Sequence, residues 1–216
     1  MKFKYKPVKD IIEDLSFFED VKYGLYSWRL SEETNFNGFE NSENDRVVYV
    51  GKAEKYIADR FYDNHLNLVR NFSTFRRSIG AVLKEELSLG ALPKIDSKGN
   101  IMYNAKNVYS NYRFNKDGEL KINKWIIDNL EYGFIELDSG VDDIIKILKK
   151  NKNKRTDEEE SNKKKHRKYM KAQEKEAKKI IKPSLNCQSG DQHFNIYFKK
   201  IRDLRAICRD EAENNS

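Results

Sequence analysis

The sequence predicts an α/β fold: a small sheet flanked by helices, with a Lys-rich elaboration. Three observations predict it. The runs "GLYSWRL" (24–30), "VVYVG" (47–51) and "YGFIEL" (132–137) have the β-branched and aromatic content of strands. Apolar residues at helical spacing stand around them. The segment "NKNKRTDEEESNKKKHRK" (151–168) holds no apolar residue and cannot bury a face. At 216 residues the chain fits one domain, 1–216, with 146–168 as an exposed insertion within it.

The elements follow in order. "VKDIIEDL" (8–15) spaces Val8, Ile11, Ile12 and Leu15 as a helix does. Strand 24–30 and strand 47–51 are joined by the polar stretch 31–46, which makes antiparallel neighbours of them. A helix starting near Lys55 carries Ile57, Arg60 and Phe61. In 71–89, Ser73 or Thr74 serves as cap, Phe75, Ile79, Val82, Leu83 and Leu87 form an apolar stripe, and Gly90 stands where a helix stops. "NYRFNKDGEL" (111–120) reads as a strand with an Asp-Gly turn, and "KINKWIIDNL" (121–130) as a short helix. Helices are expected at 141–150, at 169–183 up to Pro183, and again from Ile196 through Ile207.

Composition narrows the classes. No window approaches a membrane span, and the start "MKFKYKPVKD" has no signal-like apolar stretch. Cys187 and Cys208 are too few for a disulfide framework, which points to free thiols and a cytoplasmic protein. The net charge of +7 is uneven: residues 146–182 hold 16 Lys and Arg against 6 Asp and Glu, the remainder 26 against 29. Such a block suits a polyanionic partner or a solvated helix. Arg76 and Arg77 fall in the first turn of a helix, where its dipole disfavours cations. Either a bound phosphate or a carboxylate from elsewhere would offset them. Cys187, His193 and Cys208 lack zinc-site spacing, and there is no Gly-rich phosphate loop or serine elbow.

Gly24-Leu25-Tyr26, Tyr49-Val50-Gly51, Arg60, His65, Glu174 and "PSLN" (183–186), in that order, resemble the GIY-YIG nuclease superfamily. "STFRRSIGAVLKEELSL", "INKWIIDNL" and "EKEAKKIIKPSLN" are similar to segments of a bacterial branch of it. The resemblance implies a small antiparallel three-stranded sheet flanked by helices. It implies an endonuclease that hydrolyses DNA phosphodiester bonds with one Mg²⁺ or Mn²⁺. By resemblance, Tyr26 activates the attacking water through the metal's hydration shell, and Tyr49 hydrogen-bonds in the same site. Arg60 binds the scissile phosphate, Glu174 ligates the metal, and Asn186 braces the local backbone. Gly24 and Gly51 relieve crowding, form bulges, or admit a phosphate.

One spacing departs from the family's. His65 lies five residues after Arg60 instead of four, which on an α-helix points it about 140° away. Either the helix bulges, or Tyr62 substitutes, or His65 is not catalytic. DNA contacts are expected from Lys52, Arg76, Arg77, Lys163, Lys164 and Lys165. The alternative is a nucleic-acid-binding module of this fold without efficient cleavage, and a third reading is a protein-interaction domain with an acidic partner. Of the two carboxylates in "EKEA", Glu174 shares a helical column with Met170, Ala177 and Ile181, whereas Glu176 shares a more mixed one.

Overall fold

The computed structural model describes residues 2–19, 21–36, 39, 46–68, 73–94, 96, 100–102 and 108–215. Strand β1 (Lys4–Pro7) leads into helix α1 (Val8–Glu13), then come β2 (Gly24–Leu30) and β3 (Val47–Ala53). Helix α2 (Ile57–Asp59) continues as a π-helix over Arg60–Leu66, followed by α3 (Thr74–Val82). A two-stranded ribbon pairs β4 (Ala91–Leu92) with β5 (Arg113–Phe114). Helix α4 (Lys116–Asn129) runs directly into β6 (Leu130–Glu136), and α5 (Ile144–Lys149), α6 (Asp157–Ile181) and α7 (Phe198–Asn214) complete the chain. No helix of the described residues is long and apolar enough to cross a membrane.

The main sheet has the order β1-β6-β2-β3 and every pairing is antiparallel. It thus has four strands where three are expected; Lys4–Pro7, short and half polar, adds itself to β6. Alternation along β2 builds two layers. Tyr26, Trp28 and Leu30 face one core, in which the Trp28 ring stacks on Phe61 of the π-helix at 5.7 Å and on Phe75 of α3 at 4.7 Å. Leu25 joins Val47, Val50, Phe3 and Ala177 of α6 on the opposite face.

Of the helices that depart from their expected bounds, three do so for an evident local reason. Helix α4 begins five residues before "KINKW", because the Asn115 side chain accepts from the Gly118 amide at 2.7 Å and caps it. Asp117-Gly118, expected as a hairpin turn, is its first turn. Helix α3 ends at Val82, and the left-handed residue beyond it is Ser88, with φ 51°, not Gly90. Residues 157–168, expected as part of an exposed insertion, are the first half of the 25-residue α6. Thr156 and Glu159 form a reciprocal capping box, and Asp157 to Glu160 put negative charge on the helix N-terminus. The buried stripe begins at His166, whose Nε2 donates to the Glu54 carbonyl at 3.0 Å and whose Nδ1 meets Ser139 Oγ at 2.9 Å. Met170 continues it against Tyr23, Ile144, Ile147 and Leu148.

Arg76 corrects its expected role. It is 4% exposed, and its guanidinium is paired with Glu119 of α4, the Nε–Oε2 distance being 3.1 Å. It also donates to the carbonyls of His65 at 2.7 Å and Glu119 at 3.1 Å. A carboxylate, not a phosphate, offsets this cation at the start of α3. Both partners have 5% side-chain exposure, so removing one leaves a buried charge alone. Arg76→Ala is expected to cost about 3–5 kcal/mol in urea unfolding, and an Arg76→Met, Glu119→Leu double variant to recover most of it. A loss below about 1 kcal/mol in the single variant would contradict a stabilising pair.

Candidate active site

The antiparallel register of β2 and β3 sets Tyr26 opposite Gly51 and Trp28 opposite Tyr49. Any Cβ at position 51 would overlap the Tyr26 ring and hydroxyl, so glycine there lets the ring lie across β3. Gly24 is needed for another reason: its Cβ would strike the Ile135 carbonyl on β6. The Tyr26 and Tyr49 rings stack at 6.3 Å and 26°, and both residues are buried. Burial raises both phenols above their ordinary range, while the Arg60 charge draws both back down. Both are therefore neutral, protonated phenols.

His65 is brought to Tyr26 by the π-helix. Bonding from i to i+5, as from the Asn67 amide to the Tyr62 carbonyl at 2.9 Å, sets residues five apart above one another. The extra residue between Arg60 and His65 is thereby absorbed. His65 Nε2 lies 2.9 Å from Tyr26 Oη, and Nδ1 lies 2.8 Å from Ser73 Oγ. Ser73 caps α3 by accepting from the Arg76 amide at 3.2 Å. Burial first, then the Arg60 and Arg76 charges, hold His65 well below its ordinary pKa, so the ring is neutral. Tyr62 does not take this place: its hydroxyl points to the Ile11 carbonyl at 3.5 Å.

Arg60 and α6 close the site. Arg60 is half-buried and forms no ion pair among the described residues. Its charge is felt at Tyr26, Tyr49, His65 and Tyr132. The Glu174 charge is felt at both Tyr26 and Tyr49, and its Oε1 is 2.9 Å from Lys178 Nζ. Lys178 is 6% exposed and also reaches Asp191 at 3.2 Å. Glu176, two residues on, is exposed. The Asn186 side chain bonds both ways to the Val50 backbone, each bond 2.9 Å, beside the Leu185 amide bond to Val48 O at 2.7 Å.

The other residues expected to meet DNA have varied surroundings. Lys52 pairs with Glu54, to which Arg167 also bonds at 2.9 Å. Lys163 pairs with Glu160 at 3.1 Å, while Lys164 and Lys165 project to solvent from α6. Arg77 is 9% exposed, and its Nε and Nη1 have no partner among the described residues. Four further participants carry little signal in the sequence. Ser73 reads only as a cap. Lys178 has a signal, the Glu-Lys pair at i,i+4, but that pair is common on solvated helices. Asp191 and Tyr132 have none; Tyr132 is fully buried with its hydroxyl unpartnered among the described residues, its ring 5.8 Å from that of Tyr26.

No three of His, Cys, Asp and Glu gather as a metal cluster among the described residues. The donor set beside the tyrosines is one carboxylate, Glu174, with Asp191 beyond Lys178. That fits a hard cation such as Mg²⁺, which keeps most of its waters, and does not fit a fully protein-ligated ion. No curated protein and no solved structure matches the chain significantly. A family model described as the GIY-YIG catalytic domain matches residues 24–207, from the first glycine of β2 into α7. That span takes in Tyr26, Tyr49, Arg60, His65 and Glu174, and by it the chain belongs to the GIY-YIG nuclease superfamily.

Proposed function

We propose that the protein is a divalent-metal-dependent endonuclease that hydrolyses DNA phosphodiester bonds, with residues 1–216 as one domain and 146–168 as an elaboration of it. The observation that carries the reading is the relay Tyr26 Oη–His65 Nε2, His65 Nδ1–Ser73 Oγ, with Arg60 and Glu174 beside it.

A neutral His65 that donates from Nδ1 to Ser73 leaves Nε2 bare to accept the Tyr26 proton. The Tyr26 oxygen can then accept a proton from a water attacking phosphorus, as its own proton passes to the imidazole. A phenol whose pKa is raised by burial is a poor free phenolate, so coupling to His65 is what makes it useful. As the P–O bond to the leaving alkoxide breaks, negative charge grows on the phosphoryl oxygens. Arg60, half-buried and without an ion pair among the described residues, supplies positive charge there. Glu174 would hold the metal, which when bound adds positive charge beside the same phosphate. Tyr49 shares the tyrosine pair's pocket, and Asn186 holds β3 in place beneath them.

A second reading, a nucleic-acid-binding module of this fold without efficient cleavage, is favoured by one observation: Lys178 already occupies a Glu174 oxygen. Nicking of supercoiled plasmid with and without Mg²⁺ separates the two, since the second predicts salt-dependent DNA binding with no nicked product.

Tyr26→Phe removes one hydroxyl from a packed ring, and we expect nicking to slow by about a hundredfold or more with DNA affinity unchanged. Parent-like nicking would make Tyr26 a packing residue. Arg60→Ala is expected to slow nicking by more than about tenfold. Glu174→Gln should abolish Mg²⁺-dependent nicking, with DNA binding intact, and Glu176→Gln should be nearly silent. Silence in both would leave the nuclease reading without its metal ligand.

A further inference from the structure

A cleft of about 680 Å³ is walled by Tyr112, Cys187, Gln192, Phe198 and one face of α7; Cys187 follows Asn186, which is bonded to Val50 next to Tyr49. That face repeats arginine at helical spacing, Arg202, Arg205 and Arg209, all three lining the cleft. No carboxylate stands among its described lining residues. Arg209 bonds Asp210 at 3.2 Å in an exposed pair, Arg202 lies over the Phe198 ring at 5.7 Å, and Arg205 has no ion pair among the described residues.

A fourth cation stands behind this wall. Arg77 is separated from the cleft by Tyr112, whose hydroxyl donates to the Arg77 carbonyl at 2.9 Å. Its Nε and Nη1 are buried without partners among the described residues. Burial and the nearby Arg205 charge push the Arg77 guanidinium down to about 10, so it stays charged at neutral pH. Arg77 is also close enough to Tyr49 for the two to interact electrostatically. Three arginines around the concavity and Arg77 behind its wall repel each other, and a buried unpaired guanidinium is costly. Arg76 has its carboxylate in Glu119, but no described residue supplies an anion to Arg77. Arginine clusters of this kind are suited to phosphate, which their planar forks engage through two donors at once.

Building on the nuclease reading above, we propose that this cleft seats a backbone phosphate of the nucleic-acid strand that runs past the tyrosine site. Phe198 and Tyr112 supply the apolar wall for the sugar or base attached to that phosphate. Seating it there fixes which neighbouring phosphodiester arrives at Arg60, so the cleft acts in register as well as affinity.

The test is fluorescence anisotropy of a short labelled DNA duplex in EDTA over a series of NaCl concentrations. It compares the full chain with its Arg202→Gln, Arg209→Gln double variant and with Arg205→Lys. Arg202 and Arg209 are exposed, so the double variant is expected to melt like the parent. Its affinity should fall roughly tenfold at moderate salt, and its log–log salt slope should flatten by about 1, for the one phosphate no longer neutralised. Arg205→Lys keeps the charge but loses the planar fork, and should lose part of the affinity with the salt slope unchanged. If the parent binds and nicks DNA while the double variant matches its affinity and slope, the cleft proposal fails and the nuclease reading stands. A parent that neither binds nor nicks sinks both. If inorganic phosphate raises the melting temperature of the parent alone while DNA affinity is equal in the two, the cleft takes a free small anion and the strand proposal is overturned.

Discussion

The site depends on one close approach, the Tyr26 ring lying flat over Gly51 across the β2–β3 pair. That approach works only in this antiparallel register. A slip of one residue would turn Tyr26 to the α6 face and put Leu25 among the aromatic rings. Trp28, two residues on, fixes the register from inside by stacking between Phe61 and Phe75. The hydrophobic core therefore sets where the Tyr26 hydroxyl ends, and the π-helix sets what it meets there.

Burial does the electrostatic tuning. Among Tyr26, Tyr49, His65 and Tyr132 the first cause of each shift is removal from water, and charges act second. All four are neutral as a result. With its buried phenols and imidazole neutral and Arg60 without an ion pair among the described residues, the site leaves room for the charge that a phosphodiester would bring. Arg76 lies close by but is neutralised by Glu119, so it adds structure without competing for that anion.

Much of this is legible in the sequence, and the exceptions have physical causes. Tyr26, Tyr49 and their glycines stand out through the family resemblance, and the cross-strand register that seats Tyr26 opposite Gly51 gives the physical reason for the glycine. Glu174 over Glu176 is legible from helical phase alone, and Glu176 is indeed exposed. The spacing of His65 looks wrong until the backbone is allowed i→i+5 bonds, which no residue pattern announces. The first half of α6 escapes an apolar-pattern reading because propensity and caps carry it; the Thr156–Glu159 box is its one written sign. Asp117-Gly118 reads as a hairpin turn, but the Asn115 side chain, accepting from the Gly118 amide, makes it the first turn of α4 instead. Arg76 and Arg77 look alike in the sequence, yet Glu119, forty-three residues away, pairs with the first alone.

Asn186 bonds to both polar groups of Val50, and Val50 lies on the outer strand of the sheet. With Leu185 tied to Val48, the chain after α6 covers that margin. The other margin is β1, a short strand of alternating lysines closed by Pro7. Both are devices that discourage a foreign strand from adding to a sheet. The nuclease we propose would meet many copies of itself at high local concentration on a long DNA. Closing both margins would let it crowd there without its sheet templating aggregates.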